Sequence, residues 1–264
     1  MTAKEKSIDE RIERLHAHGI VDFHFDMPMD LYEKRDRTNV LATDYLPELE
    51  AGGIGILGAA IYIEDRYLPE MALRVALDQI AQAYTGVDRC TRFVTCKSYR
   101  EIVDARKRGK IALLITMEGV EPLGTDLDLV RVFYELGLRV IGLTHARRNA
   151  AGNGGVFAAS GSPRDGLTAF GRDVVRESEA LGVIVDLAHI NPAGLEEIIG
   201  MTSKPVIVSH TNARKYYDIE RNISDGQIKM WFIGRGMRLE FRHPEFGLVQ
   251  TSRVREIHEL TAVH

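Results

Sequence analysis

Ionisable side chains stand at the ends of five separate apolar segments of this chain, and all are of types that bind metal ions. The residues are His24 with Asp26, Glu118, His145, His189 and His210. One such residue alone is weak evidence, because histidine is often partly buried for structural reasons. Five apolar segments that end in this way indicate one shared site.

Histidine and carboxylate ligands without cysteine suit Zn²⁺, with Mn²⁺, Co²⁺ or Fe²⁺ as alternatives. His24 and Asp26 stand two residues apart on a predicted strand, so their side chains point to the same side. Together with Glu118, His189 and His210 they are too many ligands for one tetrahedral ion. They suffice for two ions that share a bridging ligand. A carboxylate bridges two ions and a neutral imidazole does not, so Glu118 is the natural bridge. Two ions ~3.5–4 Å apart would activate a bridging water for attack on a carbonyl group.

The elements that must position these side chains alternate between apolar segments and amphipathic helical segments. Strands are predicted at residues 20–25, 54–63, 111–117, 138–144, 183–188 and 205–209. Nearly continuous apolar runs such as IALLIT are typical of parallel strands covered on both faces. Repeated strand–helix units predict an α/β fold with a parallel sheet, either a barrel or a doubly wound sheet. In both, active sites lie at the carboxyl ends of the strands. The sequence lacks a GxGxxG or GxxxxGK[ST] motif after a strand, which argues against nucleotide binding.

Several helix ends are readable in the sequence. Ser98 followed by Glu101 predicts a capping box at a helix start. Asp126 is a second candidate cap, and Asn191 before Pro192 places a cap residue ahead of a proline at the first helical position.

Composition and charge limit the classes of partner. The chain has 264 residues and a formal net charge of -4, with a pI of about 6.2. Neither value favours a nucleic acid or an anionic membrane as a partner. The sequence has no apolar run of the ~20 residues that would span a bilayer and no apolar leader, so we expect a cytoplasmic protein without a membrane anchor. Its two cysteines, Cys90 and Cys96, are expected to be small buried hydrophobes.

The motifs around the candidate ligands resemble those of the renal (membrane) dipeptidase family, which are zinc metallopeptidases with an amidohydrolase-like barrel. VDFHFDMPMDL resembles the family's opening DGHNDxP motif, and TMEGVEPLG resembles its EG motif. VDLAHINP and VSHTNAR resemble its two later histidine motifs. The four motifs occur in the family's order, and the similarity runs from about residue 20 to about residue 228.

This resemblance implies one TIM-like (β/α) barrel of the metal-dependent hydrolase type across residues 1–264. It implies two zinc ions, with His24 and Asp26 on the first, Glu118 as the bridge, and His189 and His210 on the second. It also implies a substrate role for His145 and makes Arg221, in ERNISD, the residue that holds the substrate carboxylate. A guanidinium suits that role because it grips a carboxylate with two hydrogen bonds. The implied substrates are dipeptides, with a D-residue tolerated at the carboxyl-terminal side.

The resemblance fades at residues 230–264, which form a divergent or truncated end. The family's last strand carries an aspartate beside the metals that handles the proton, and this chain has no aspartate after Asp225. A strand is predicted at residues 237–242. A barrel without its last strand is incomplete and leaves sheet edges that must be covered; a homodimer is one way to cover them.

Two other functions remain open at this point. One is a metal-binding protein with the dipeptidase fold and little or no catalysis, which the missing aspartate favours. The other is an amidohydrolase that acts on another amide or on a lactone, because this barrel supports many chemistries and the fold does not fix the function.

Overall fold

A computed structural model of the chain describes residues 7–155, 165–232, 238–243 and 247–253. Its strands are β1 Ile20–Phe25, β2 Ile54–Ile61, β3 Phe93–Thr95, β4 Ile111–Glu118, β5 Leu138–Gly142, β6 Ile184–Asp186, β7 Arg238–His243 and β8 Gly247–Arg253. Its α-helices are α1 Ile8–His18, α2 Met27–Glu33, α3 Leu46–Ala51, α4 Ala72–Arg89, α5 Tyr99–Lys107, α6 Asp128–Glu135, α7 Ala169–Leu181, α8 Pro192–Met201 and α9 Asp225–Phe232.

Strands β1 to β6 form one parallel sheet that curls as part of a barrel, with helices in the connections. The strand order is β1-β2-β4-β5-β6, and β3 pairs with the amino-terminal half of β4 while β5 pairs with its carboxyl-terminal half. Every pair in this sheet is parallel, so the carboxyl ends of its strands lie along one edge. The architecture confirms the predicted α/β fold and matches an incomplete TIM-like barrel.

The core of the sheet is built on β4. All eight residues of β4 are buried, as expected for a strand with helices on both faces. The two cysteines are free and buried, with 6% and 0% of Cys90 and Cys96 exposed, so both behave as the small hydrophobes predicted from the sequence.

Most predicted strands form, with shifted ends. β2 stops at Ile61, β4 extends to include Glu118, and β6 is limited to Ile184–Asp186. The prediction missed the short strand β3. It was wrong for residues 205–209, which make isolated bridges instead of a regular strand, among them a parallel bridge from Ile207 to Asp186. Pro205 contributes to this outcome, because proline has no backbone N–H to donate to a neighbouring strand.

The predicted helix starts are largely confirmed. Ser98 accepts a hydrogen bond from the backbone N–H of Glu101, but the Glu101 carboxylate accepts from Lys97 and not from Ser98. Asn191 caps α8 by accepting from Gly194. The helix expected to start at Asp126 begins at Asp128.

The predicted strand at residues 237–242 corresponds closely to β7, and Met237 lies outside the described residues. β7 pairs with β8 in an antiparallel hairpin, which differs from the parallel strands of the main sheet. Within the part of the chain that the structure describes, no helix is both long and apolar enough to cross a membrane.

Candidate metal centre

The carboxyl edge of the sheet brings the predicted ligands together. His24 lies near the end of β1 and Glu118 is the last residue of β4. His145 and His189 each follow by three residues the end of their strands, β5 and β6. His210 follows the bridged segment at residues 205–209. Four histidines from four segments therefore meet at one carboxylate.

Glu118 is the centre of this cluster, since its carboxylate faces all four imidazoles. Oε1 lies 3.5 Å from Nε2 of His24, 2.9 Å from Nε2 of His189 and 3.4 Å from Nε2 of His210. Oε2 lies 3.8 Å from Nε2 of His145. Two groups of three possible ligands share Glu118. One contains His24 and His210, the other His145 and His189, and the ligand atoms in each lie within 4.8 Å of one another.

These groups differ from the pairing that the family resemblance implies, in which His189 and His210 share an ion. The two rings are nevertheless adjacent, with their Nε2 atoms 2.7 Å apart. The rings of His24 and His210 are also close, at 3.9 Å between centroids. Glu118 belongs to both groups, as a bridging ligand would.

Asp26 sits at the rim of the cluster. It is the residue before helix α2, its side chain is 60% exposed, and Oδ1 lies 3.1 Å from Nε2 of His24. The two residues of the HxD motif therefore converge, but Asp26 faces solvent while His24 is buried.

Arg221 lies against the cluster instead of standing apart in solvent. Its Nε donates to Nδ1 of His189 across 3.1 Å, and Nη2 donates to the backbone oxygen of His210 across 2.9 Å. Burial lowers the pKa of Arg221, although a guanidinium keeps its charge at neutral pH.

Electrostatics around Glu118 favour its charged form. Burial opposes ionisation, but the Nε2 atom of His189 at 2.9 Å and the positive potential of the neighbouring imidazoles outweigh it and lower the pKa of Glu118 to about 2. For His24, burial favours the neutral form, yet Asp26 and Glu118 raise its pKa above the ordinary value. Burial lowers the pKa of His189, which Glu118 opposes and Arg221 reinforces.

His189 adopts an uncommon backbone conformation, with a φ of 64°. A left-handed conformation costs energy for any residue except glycine, and it persists where the surrounding structure imposes it. Here the His189 carbonyl accepts a hydrogen bond from the N–H of Gly155. Such local strain is concentrated at functional sites in proteins, which agrees with the position of His189 in the cluster.

Sequence reasoning missed several residues that support the site. Asp186, at the end of β6, is buried and bonds to Ser209. Tyr62 follows β2, its ring lies 5.7 Å from that of His145, and burial raises its pKa to about 12. A charged residue inside the apolar run VIVDLA was the available signal for Asp186.

Arg147 and Glu121 form a partly buried ion pair that was not predicted from the sequence. Nε of Arg147 lies 2.9 Å from Oε1 of Glu121. The other guanidinium nitrogens reach the carboxylate of Asp65 at 2.9 Å and the backbone oxygen of Ile63 at 2.6 Å. Arg147 stands two residues after His145, so it ties the loop that carries His145 to the loops after β2 and β4.

Comparison with known proteins identifies related sequences and structures. The sequence model of one family, described as membrane dipeptidase (peptidase family M19), matches residues 9–232. An uncharacterized dipeptidase of Schizosaccharomyces pombe is 29% identical over 246 residues, which cover 84% of this chain and 59% of that protein. An uncharacterized protein of Acinetobacter calcoaceticus is 30% identical over 166 residues, covering 62% of this chain and 53% of that protein. The chain thus spans little more than half the length of these relatives.

Solved structures give the same result. A metallopeptidase from Rhodobacter sphaeroides, solved with a phosphinate mimic of the dipeptide L-Ala-D-Ala, has a TM-score of 0.75 and 25% identity. The match covers 83% of this chain and 73% of that one. The dipeptidase AC, a metallopeptidase of family M19, has a TM-score of 0.75 and 26% identity, with 83% of this chain and 71% of that one covered. The family match over most of the chain, together with a shared fold, assigns this protein to the membrane dipeptidase family, peptidase family M19.

Proposed function

We propose that this protein is a metal-dependent dipeptidase that binds two divalent ions, with Zn²⁺ as the expected metal, at the Glu118 cluster. The observation that supports the proposal most is the convergence of four histidine Nε2 atoms on one buried carboxylate at the carboxyl edge of the sheet. Membership of the membrane dipeptidase family supplies the reaction class.

The residues of the cluster fit such ions. Oε1 of Glu118 is buried and has no hydrogen-bond partner among the residues that the structure describes. An unpaired buried polar atom costs about 1–3 kcal/mol, so a cation beside Oε1 would be stabilising. Imidazole and carboxylate donors without thiolate suit zinc. When bound, two ions would supply an activated water and would polarise the carbonyl of the scissile bond.

In this proposal His24 and Asp26 would hold one ion, His189 and His210 would hold the other, and Glu118 would contribute to both sites. The assignment uses the side chains that face Glu118 Oε1 directly, together with the exposed carboxylate of Asp26. His145 is kept for the substrate because its Nε2 faces the other oxygen, Oε2, at 3.8 Å and its side chain is 29% exposed.

His145 and Arg221 would bind two different groups of the substrate, the carbonyl of the scissile bond and the free carboxylate. A hydrogen bond from His145 would stabilise the substrate carbonyl oxygen as negative charge develops on it. Arg221 would hold the free carboxylate of the dipeptide, which selects substrates with an unblocked carboxyl terminus. The Rhodobacter sphaeroides relative was solved with a mimic of L-Ala-D-Ala, which supports a D-residue at the carboxyl-terminal side of the substrate.

The direct experiment is a metal-titrated assay on purified protein. Metal-free protein should gain hydrolysis of dipeptides such as L-Ala-D-Ala as Zn²⁺, Mn²⁺ or Co²⁺ is added, and Glu118→Gln should not. Lactones and aminated nucleobases, tested in parallel, should not be turned over. Hydrolysis of a lactone or deamination of a base in the absence of dipeptidase activity would instead support the amidohydrolase alternative.

A second candidate is a metal-binding protein of this fold with weak catalysis. The observation that favours it is that residues 226–264 contain no aspartate that could act as an acid–base group. Among the described residues of that segment, helix α9 is followed by the antiparallel hairpin of β7 and β8. A positioned acid–base group contributes about 10²–10⁴-fold. Fully metallated protein with a kcat far below the enzyme median of about 10 s⁻¹ would support this candidate.

A further inference from the structure

Asp186 is a buried carboxylate outside the proposed set of metal ligands. It is the last residue of β6 and is 7% exposed. Oδ1 accepts hydrogen bonds from the backbone N–H groups of Ala188 and Ser209, at 3.0 and 2.9 Å. Oδ2 accepts from the hydroxyl of Ser209 at 2.5 Å. Both carboxylate oxygens are thus occupied by donors from the segments that carry His189 and His210.

The donor and acceptor roles of the Ser209 hydroxyl can be assigned from its two hydrogen bonds. A serine hydroxyl has one hydrogen, and Ser209 donates it to Oδ2 of Asp186. The oxygen of Ser209 also lies 2.9 Å from Nδ1 of His210. Because its hydrogen points to Asp186, the oxygen must accept from Nδ1, and the imidazole hydrogen is on Nδ1. A neutral His210 then has its lone pair on Nε2, the atom 3.4 Å from Glu118.

We propose that Asp186 is a positioning residue for the metal centre, which through the hydroxyl of Ser209 holds His210 in the tautomer whose Nε2 binds a metal ion. This inference rests on the proposed function, because it assumes that His210 is a ligand. Histidine ligands in metalloproteins are commonly fixed by a hydrogen bond from the second ring nitrogen, and loss of that bond lowers metal affinity or activity by 10–100-fold.

The segment before His210 has few backbone hydrogen bonds to β6, which explains why the side chain of Asp186 is needed to position His210. Residues 205–209 form an isolated bridge to β6, held by hydrogen bonds between Ile207 and its neighbours Val185 and Leu187. Beyond Ile207 the two contacts from Ser209 to Asp186 continue the connection where strand hydrogen bonds would otherwise lie. Asp186 therefore fixes both the position of His210 along the edge and the tautomer of its ring.

The variant Asp186→Asn separates charge from shape. Its amide oxygen must face the two backbone N–H donors, so the amide nitrogen faces Ser209 and donates to it. The hydroxyl of Ser209 then donates to Nδ1 of His210, and the ring hydrogen moves to Nε2. We expect Asp186→Asn to lower Zn²⁺ affinity 10–100-fold in a chelator-competition titration. Ser209→Ala, which removes the connection, should also weaken binding, whereas Ser178→Ala, at a fully buried serine in α7, should leave it unchanged.

The tautomer itself gives a readout that general destabilisation would not change. In ¹⁵N-histidine spectra of metal-free protein, His210, assigned by its absence in His210→Asn, should show the Nδ1–H form in the wild type and the Nε2–H form in Asp186→Asn. Circular dichroism would verify that each variant is folded. Wild-type zinc affinity together with an unchanged tautomer in folded Asp186→Asn or Ser209→Ala would overturn the inference and leave the proposed function intact. Failure of wild-type protein to bind zinc, or binding unaffected by His210→Asn, would overturn both.

Discussion

Arg221 donates a hydrogen bond from Nε to Nδ1 of His189, across 3.1 Å. A guanidinium has no acceptor, so Nδ1 of His189 carries a lone pair and the ring hydrogen is on Nε2. That hydrogen points toward Nε2 of His210, 2.7 Å away, which accepts it because the hydrogen of His210 is on Nδ1. The two neighbouring histidines thus have opposite tautomers. His210 can bind a metal through Nε2 in this tautomer, whereas in His189 the ring hydrogen must move to Nδ1, and the contact with Arg221 must break, before Nε2 can bind one.

Substitution of Arg221 tests whether this residue binds the carboxylate of the substrate. We expect Arg221→Ala to raise KM for free dipeptides roughly tenfold or more relative to dipeptides with a blocked carboxyl terminus, since a hydrogen bond to a charged group contributes about 1.5–3 kcal/mol. Arg221→Lys keeps the positive charge but lacks the planar guanidinium, so its KM for free dipeptides should lie between those of the wild type and Arg221→Ala. Steady-state kinetics on both substrate types measures the effect.

Because Arg221 also touches His189, the metal content of each variant must be measured in the same preparation. Equal losses on free and blocked dipeptides, at full metal content, would argue against carboxylate recognition.

Two divalent ions per chain are expected for the wild type, and Glu118→Gln should weaken binding at both sites by about tenfold or more, equivalent to about 1.4 kcal/mol or more for each. The reason is that the charge of one bridging carboxylate would serve both ions. Elemental analysis and competition titration measure this. Glu197→Gln is the matched control, because Glu197 pairs with Arg172 away from the cluster. One equivalent or none in carefully reconstituted wild type would contradict the binuclear centre.

Gly154 should be needed for the position of His145. A Cβ atom at Gly154 would lie 2.4 Å from the backbone oxygen of His145 and 2.5 Å from the backbone of Ala146, closer than real contacts allow. Gly154→Ala should therefore displace the loop and lower kcat, by up to about 10²-fold for a shift near 1 Å. Gly200→Ala is the control, since a Cβ there meets no atom within 4 Å. Similar kcat values in both variants would mean that the loop adjusts without moving His145.

Arg147 should contribute to stability through the three loops it connects. Arg147→Ala removes its contacts to Asp65 and Ile63 and leaves Glu121 buried without its cation. We expect the free energy of unfolding to fall by about 2–3 kcal/mol, the cost of a buried polar group left without a partner plus the lost hydrogen bonds. Burial raises the pKa of Glu121 already, so protonation limits the loss. Urea denaturation would measure it.

Asp65→Asn is the control for that measurement, because the side chain of Asp65 is 87% exposed and surface ion pairs contribute little. If Arg147→Ala is no less stable than Asp65→Asn, the contact with Glu121 does not stabilise the loops.

The amino-acid sequence is enough to show which residue types are available and roughly which strand ends carry them. Apolar runs that end in His24, Glu118, His145 and His189 identified the strands, and parallel strands share one carboxyl edge, so the cluster could be predicted without coordinates. Motifs in the family's order extended this to Arg221. Such features are local, because each depends on a short segment and its period.

Which atoms face each other depends on how distant segments pack, and this could not be predicted from the sequence. Residues 205–209 have the composition of a strand but make only isolated bridges among the described residues, since pairing depends on the neighbouring segment. The contacts of Asp186 with Ser209, and of Arg221 with His189, join residues 23 and 32 positions apart. No sequence period links residues at such separations. The tautomers of His189 and His210 follow from those contacts, because a ring nitrogen takes its role from the group placed opposite it.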